Sequence, residues 1–457
     1  MDNCLTILAS NNLPVVVDLF SGCGGLALGF HEAGFDIVYG ADIQKDACDT
    51  ANYNLAWKYG KETTHFCEDI INLDIDKIQK YISGREVIVI GGPPCQAYSS
   101  AGKGKLRSLG EDRVNTKDRR GYLFQDFIRI ALALNASAIV MENVPEAANY
   151  GEINVPEIVC NILEKHKYKT QWSILNATNY GVPQNRERII LVAVRGDRNG
   201  EFEYPIPPLK DISFVESSGR NKIYAECEHF VKAPRPINGC MDRITIREAI
   251  SDLPVLMADS TCRYRSIALN IALPYKTKAE YDYQIIMRRN CQYNSVTANS
   301  FRNNSRDFKT FERMKPGDNY VDACKIAEER LDETCKALNI AQTPNNPEYL
   351  KLVKEIIPPY ERDAFVEKWR RLDPNKPCPT VVAHMSKDTY AFIHPWEPRG
   401  LSVRESARMQ SFPDDFQFMG SMGEAFKQIG NAVPPLLSNA IARALKKTLM
   451  EEYECRF

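Results

Sequence analysis

Val87-Ile88-Val89-Ile90-Gly91-Gly92-Pro93-Pro94-Cys95-Gln96 is a β-branched apolar run closed by two glycines, two prolines and a cysteine. Four consecutive apolar residues with no polar alternation read as a strand buried on both faces, the form strands take in parallel α/β sheets. Open sheets of that kind carry their chemistry at the carboxyl ends of the strands, which is where Cys95 falls. The prolines fix φ and remove backbone donors, so the approach to the thiol is stiff. Two readings of Cys95 follow: a nucleophile at a strand mouth, or one more small buried hydrophobe, as most free cysteines are.

The same grammar recurs along the first 195 residues. Strands are expected at Val15–Leu19, Asp36–Ala41, Val87–Ile90, Ala138–Met141, Ser173–Leu175 and Ile189–Val194, with helical stretches such as Leu123–Leu134 between them. This alternation predicts an α/β fold, a doubly wound sheet of parallel βαβ units. After Arg195 the character changes, with prolines at 205, 207, 208, 234 and 236 interrupting the chain. Residues 201–375 read as short, poorly periodic pieces around one polar helical stretch, Ala323–Leu338, the setting for an inserted helix pair. Order returns at Ser402–Gln410 and at Pro434–Leu449, where Leu436, Leu437, Ala440, Ile441 and Leu445 trace a core-type helical stripe.

At 457 residues the chain is long enough for two domains, and 44% hydrophobic with 26% charged residues is an ordinary globular composition. A formal net charge of −1 provides no global field toward a polyanion, so any nucleic-acid contact must use a local basic surface. Apolar runs fall short of the roughly 18 residues of a membrane span, and the first residues lack the pattern of a secretory signal. The 14 cysteines show no paired C-x-x-C spacing, and Cys227 with His229 finds no partner pair completing a zinc site, so no metal is expected. Scattered cysteines of this kind fit a reducing compartment.

Val15–Leu19 runs into Phe20-Ser21-Gly22-Cys23-Gly24-Gly25 and then a helix. Glycines there let backbone approach a ligand, and the helix start offers free N–H groups. Gly22, Gly24 and Ala27 fit a G-x-G-x-x-A dinucleotide pattern, with Asp42 near the spacing of a ribose-binding acid. A nicotinamide cofactor, an adenosyl cofactor without pyrophosphate and a merely tight βα turn all remain open on this loop. Two further signals stand at strand ends: Glu142-Asn143-Val144-Pro145, and Gln184-Asn185-Arg186-Glu187-Arg188. Singly these are ordinary capping or surface residues. A thiol, a carboxyl group and two guanidinium groups at successive strand ends of one sheet point instead to a site.

With these strings in order, joined by Arg404-Glu405-Ser406-Ala407-Arg408-Met409-Gln410-Ser411-Phe412-Pro413-Asp414 and Gln428-Ile429-Gly430-Asn431-Ala432-Val433-Pro434-Pro435, the chain closely resembles the DNA (cytosine-5) methyltransferase family. The resemblance covers about residues 15–195 and 376–445 and is closer to the compact bacterial type. It implies a Rossmann-like S-adenosylmethionine-dependent sheet over residues 1–200, completed by 427–457, and a smaller irregular target-recognition domain with hinge over 201–426. It implies Cys95 as nucleophile on carbon 6 of a flipped-out cytosine, Glu142 on the pyrimidine edge, and Arg188 with Arg186 steadying base and phosphate. Gln96, Ser99 and Gln184 would lie near the base, within or beside a basic loop spanning 96–120. Phe20, Ser21, Gly22, Gly24, Gly25, Asp42, Ile43, Asp69, Ile70, Pro93, Asn431 and Val433 would hold S-adenosylmethionine, released as S-adenosylhomocysteine. Arg404 and Glu405 resemble a pair that orders the recognition domain, and Arg288, Arg289, Arg302, Arg306, Lys309 and Arg313 form a second basic group open to DNA. The implied partners are double-stranded DNA and a separately encoded restriction endonuclease, with no membrane, a monomeric chain, and a cytoplasmic setting at the bacterial nucleoid (nuclear in a eukaryote). The alternatives within reach of the same strings are a transfer-RNA cytosine-5 methyltransferase and a catalytically silent DNA-binding relative.

Overall fold

The computed structural model describes residues 13–94, 123–149, 153–197, 200–256, 267–302, 306–363, 366–387 and 389–454. Two compact units divide the chain: residues 1–243 with 432–457, and residues 244–431.

The first unit is built on a seven-stranded sheet. Its strands are β1 (Val15–Leu19), β2 (Ile37–Asp42), β3 (His65–Cys67), β4 (Val87–Gly91), β5 (Ala138–Asn143), β6 (Tyr168–Asn176) and β7 (Glu187–Arg195), in spatial order β3-β2-β1-β4-β5-β7-β6. The first five are parallel, and β7 runs antiparallel between β5 and β6. β1, β4 and β5 are buried along their whole length, as an apolar run covered on both faces must be. β3 escapes a reading of the sequence because three residues carry no periodicity; it is held by pairing to β2, where Gly40 lets the His65 ring lie against the backbone.

The reversed strand has a functional consequence. β6 turns directly back into β7, so the start of β7 lies at the same edge as the ends of β4 and β5. Register puts Asn143 opposite Ile189 and Leu175 opposite Arg188. Arg188, near the beginning of its strand, therefore stands beside Glu142, near the end of another.

Helices α1 (Gly25–Glu32), α2 (Lys45–Leu55), α3 (Ile75–Ile82), α4 (Leu123–Ala133) and α5 (Val155–Lys165) connect the strands. A closing helix, Pro435–Glu454, packs on α1: Ser438 Oγ donates to the Leu26 carbonyl at 2.5 Å and Asn439 Nδ2 to that of Gly29 at 3.1 Å. A Cβ on Gly29 would come within 2.4 Å of Ser438, so the helices meet this closely only over a glycine.

The expected boundary near 200 falls instead at 243. β6 is an edge strand, and its free backbone groups are covered by the proline-broken segment after β7. Trp172 N–H donates to the His229 carbonyl and Val231 N–H to that of Trp172, both at 2.9 Å. Tyr204 Oη donates to the Ile190 carbonyl at 2.8 Å.

The second unit is made of short helices, among them α6 (Ile246–Ile250), α7 (Asp282–Arg288), α8 (Tyr320–Leu338), α9 (Pro347–Ile356), α10 (Val403–Met409) and α11 (Met422–Asn431). The expected helix pair is α8 with α9, joined through Ala327, Leu331, Cys335 and Ile356. Arginines on and near α10 are buried with full sets of partners. Arg408 pairs with Asp414 at 2.6 Å and Asp252 at 3.2 Å, while Arg399 grips Glu405 at 2.7 and 2.8 Å. Arg404 and Glu405 do not pair with each other: Arg404 spends its guanidinium on the carbonyls of Thr297, Pro413 and Phe416.

Candidate active site

At the carboxyl edge of the sheet, Glu142 Oε1 lies 2.7 Å from Arg188 Nε, with only 11% of either side chain exposed. Arg188 also donates to the Glu187 carbonyl at 2.6 Å. Burial pushes the Arg188 pKa down, and the opposing charges of Glu142 and Glu146 limit that fall. The end of β4 arrives at the same place. A Cβ on Gly92 would meet Glu142 Oε2 at 2.9 Å, and Asn143 Nδ2 donates to the Pro93 carbonyl at 3.3 Å. The two motifs are thus bound to each other, Asn143 to Pro93 and Glu142 against Gly92. Pro94 is the last described residue before the nucleophile candidate; Cys95, Gln96, Ser99 and the basic stretch to residue 120 lie outside the described residues.

Arg186 and Gln184 are buried. Arg186 donates to the Ala432 carbonyl at 3.1 Å and anchors the chain leading to Val433, which belongs to this unit. Burial, then the neighbouring charge of Arg188, presses its pKa well down. Asn431 is the last residue of α11, in the second unit.

At the other end of the edge, the β1–α1 loop is contorted. Phe20, Gly22 and Gly24 all have positive φ, at 58°, 51° and 82°. Non-glycine residues rarely sit there, and such strain gathers at ligand sites. The Asp42 carboxylate holds the loop, accepting from Gly22 N–H at 2.9 Å and Gln44 N–H at 2.8 Å. A Cβ on Gly22 would meet nothing within 4 Å, so this backbone faces open space. Ser21 and Gly25 are buried in the turn, Ile43 is 71% exposed beside Asp42, and Asp69 caps the turn holding buried Ile70.

Asp18 has no role in the sequence reading, yet it is the strangest group here. It is 1% exposed, and neither carboxylate oxygen has a hydrogen-bond partner among the described residues. Burial, with Asp42 adding, raises its pKa well above the ordinary range. Its signal was a lone acid in the otherwise apolar Val15–Leu19 strand. An orphan carboxyl under an open glycine loop suits a ligand carrying positive charge. S-adenosylmethionine, with its sulfonium and ammonium groups, fits that donor and acceptor set, and an exposed Ile43 beside a carboxylate suits a flat base next to ribose hydroxyls. Cys23, in the same loop, is buried and its thiol is pushed up to about 12, so it offers no competing thiolate.

The second basic group is largely committed within its own unit. Arg288 pairs with buried Asp252 and stacks over the Tyr275 ring, while Arg306 pairs with Asp307 and Arg313 with Glu333. Of the Arg288 side chain, 13% is exposed.

A sequence model of C-5 cytosine-specific DNA methylases matches residues 15–447, and the chain belongs to that family. It is a DNA (cytosine-5) methyltransferase by family, and the family takes its methyl group from S-adenosylmethionine. A protein of Oceanobacillus iheyensis, provisionally named a type II methyltransferase, is 46% identical over 96% of both chains. The type II methyltransferases M.DdeI of Desulfomicrobium norvegicum and M.AgeI of Thalassovita gelatinovora are 29% and 30% identical, over 94% of this chain and 88% and 98% of theirs. In fold, the chain is similar to a protein encoded in an E. coli prophage and provisionally named a DNA modification methyltransferase, with a TM-score of 0.63 at 20% identity, covering 96% of this chain and all of that one. No helix among the described residues is long and apolar enough to cross a membrane.

Proposed function

We propose that the chain methylates carbon 5 of a flipped-out cytosine within a specific short DNA sequence, with Cys95 as nucleophile and the Glu142–Arg188 pair as the base-binding group. The observation that carries this reading is the convergence of Gly92, Pro93, Glu142 and Arg188 at one strand edge. Carbon 5 of cytosine is a weak nucleophile. Addition of the Cys95 thiolate to carbon 6 opens the 5,6 double bond and moves its electrons toward carbon 5. Glu142 holds the pyrimidine edge and stabilises protonation at ring nitrogen 3, so the electron density that would build on the ring is met by a proton. Arg188 holds Glu142 and steadies the base and the flanking phosphate. When bound, S-adenosylmethionine supplies an electrophilic methyl group on sulfur. Held by the glycine loop, the cofactor would pass its methyl to carbon 5 and leave as S-adenosylhomocysteine. Loss of the carbon 5 proton to a base and expulsion of Cys95 restore the aromatic ring.

In this reading Phe20, Gly22 and Gly24 present backbone to the cofactor, Asp42 and Asp69 face its ribose and adenine, Ile43 covers the base, and Asp18 faces its positive end. Arg186 holds the Ala432–Val433 segment in place. Residues 244–431 carry the target-recognition function. The naming of several relatives as type II methyltransferases supports a restriction–modification setting; to this the reading adds a separate endonuclease of the same specificity and a cytoplasmic, monomeric enzyme.

The test is base-resolved mapping of 5-methylcytosine after purified protein and S-adenosylmethionine are incubated with unmethylated genomic DNA and bulk RNA. Methylation at one short DNA motif is expected. Modified RNA with unmarked DNA, or no mark on either, contradicts the reading.

A further inference from the structure

The segment that covers β6 encloses a cavity of about 280 Å³, lined by the end of that strand and by residues from 214 to 235, all within the first unit. Ile174, Phe214 and Val215 give it an apolar wall, and Asn221, Lys232 and Arg235 its polar groups. The wall is pinned: Asn179 Nδ2 donates to the Val215 carbonyl at 2.9 Å, and Val215 N–H donates back to Asn179 Oδ1 at 3.0 Å. Asn221, on the short helix Ser218–Tyr224, is 6% exposed, and its Oδ1 has no hydrogen-bond partner among the described residues. A buried acceptor without a partner destabilises a fold, so one kept at a cavity wall calls for a donor from outside. Lys232 is exposed and has no ion pair among the described residues. Arg235 lies over the Phe214 ring, 5.7 Å from its centre, and meets Asp211 and Glu216 only at 3.9 Å, which holds an exposed arginine loosely. Register puts Ile174 opposite Ile189 and Arg188 opposite Leu175, so Ile174 points to the face of the sheet that Arg188 does not. The cavity is therefore separate from the Glu142–Arg188 pair, although both lie toward the same edge.

We propose that this cavity binds one nucleotide, with its base against Ile174 and Phe214, a base N–H donating to Asn221 Oδ1, and its phosphate on Lys232 and Arg235. Three demands have to be met together. An apolar wall containing a ring suits a flat heterocycle, the orphan acceptor needs a donor, and the two cations need an anion. A nucleotide carries all three in one small molecule. Phosphate alone leaves the apolar wall and Asn221 unused, and an uncharged ring leaves the cations unused. The volume is several times the roughly 30 Å³ of a water and sits near the lower end for ligand clefts, roughly 300 Å³, so it excludes a helix or a peptide segment. Every base has an N–H and a π face, so the site takes any base and leaves the choice of methylated motif to residues 244–431. Two sources supply the same chemistry: a free nucleotide, or one unstacked from DNA held by the enzyme. The proposal draws on none of the roles given to Cys95, Glu142 and Arg188.

The experiment is calorimetric titration of the full chain with each deoxynucleoside 5′-monophosphate, under saturating S-adenosylhomocysteine so that an adenosyl site is already filled. Binding is expected in wild type and in Glu142→Gln alike. It should weaken by about tenfold or more in Asn221→Leu, and again in Lys232→Ala with Arg235→Ala. Without nucleotide, Asn221→Leu should raise the thermal midpoint, because it removes a buried acceptor that has no partner. The dissociation constant for DNA separates the sources. If Asn221→Leu weakens DNA binding, the nucleotide belongs to DNA; if it weakens only the monophosphates, the nucleotide is free. The proposal is overturned if no monophosphate binds and Asn221→Leu leaves DNA affinity unchanged, or if monophosphate binding survives all of these substitutions. Inorganic phosphate binding as tightly as the nucleotides would also overturn it, and so would a lower thermal midpoint in Asn221→Leu, which would make Asn221 part of the frame.

Discussion

Glu142, Arg188 and Gly92 form the smallest set from which the activity is argued. Gly92 is there because any side chain would strike the Glu142 carboxylate at 2.9 Å. Gly92→Ala is expected to lower kcat by roughly a hundredfold while far-UV circular dichroism and thermal midpoint stay near wild type; an active Gly92→Ala enzyme would mean that this approach does not matter. Asp18 gives a pH prediction. Its folded pKa lies above the unfolded one, so the protonated form is favoured by folding, and stability falls as pH rises from near 4 toward the folded value. Asp18→Asn removes that loss: its thermal midpoint should gain on wild type with increasing pH, while its affinity for S-adenosylmethionine falls. Equal cofactor binding by both proteins would remove Asp18 from the site. Glu142 stood out in the sequence as a charged group closing an apolar strand, and Arg188 as one opening another. Asp18 did not stand out, since it sits inside a strand.

Among the elements, β1, β2, β4, β5 and β7 could be read from apolar runs alone. β6 was seen only in part, as Ser173–Leu175 rather than Tyr168–Asn176, because Lys169, Thr170 and Gln171 break its apolar run near the sheet edge. That edge is closed by His229, whose Nδ1 lies 2.7 Å from Glu157 Oε2 and Nε2 3.1 Å from Glu164 Oε1, both acids on α5. Burial presses its pKa down, but the two carboxylates outweigh burial and the net shift is upward. The clamp is therefore complete below the unfolded histidine value near 6.5 and is lost as pH rises through the higher folded value. The midpoint advantage of wild type over His229→Gln should shrink across that window; an advantage independent of pH would refute the charged clamp. On α1, Gly29→Ala should destabilise by about 1–3 kcal/mol, since overpacking forces the closing helix away, as urea unfolding would register.

At the scale of the molecule, an irregular stretch after the sheet was visible in the sequence, but its division was not. The prolines after β7 signalled a change of domain, yet residues 201–243 remain with the first unit because an edge strand needs a cover. This splits the variable region into two parts with different expected duties. Exchanging residues 244–431 for those of a relative of different specificity should move the methylated motif to the relative's. Exchanging 201–243 should leave the motif unchanged and alter only rate or stability. A motif that follows 201–243 would place recognition in the wrong unit. The charge balance bears on the same scale. With a net charge of −1, DNA affinity depends on local cations and should fall steeply with added salt.

The most direct measurement uses DNA in which the target cytosine carries fluorine at carbon 5. Methyl transfer then leaves no proton to remove, and expulsion of the enzyme is blocked. Incubation with protein and S-adenosylmethionine, followed by denaturation and peptide mass spectrometry, is predicted to give one covalent adduct, on the peptide containing Cys95, bearing the added methyl group and absent in Cys95→Ser. No adduct, or one on another cysteine while ordinary DNA is still methylated, would contradict the assignment of Cys95 as the nucleophile.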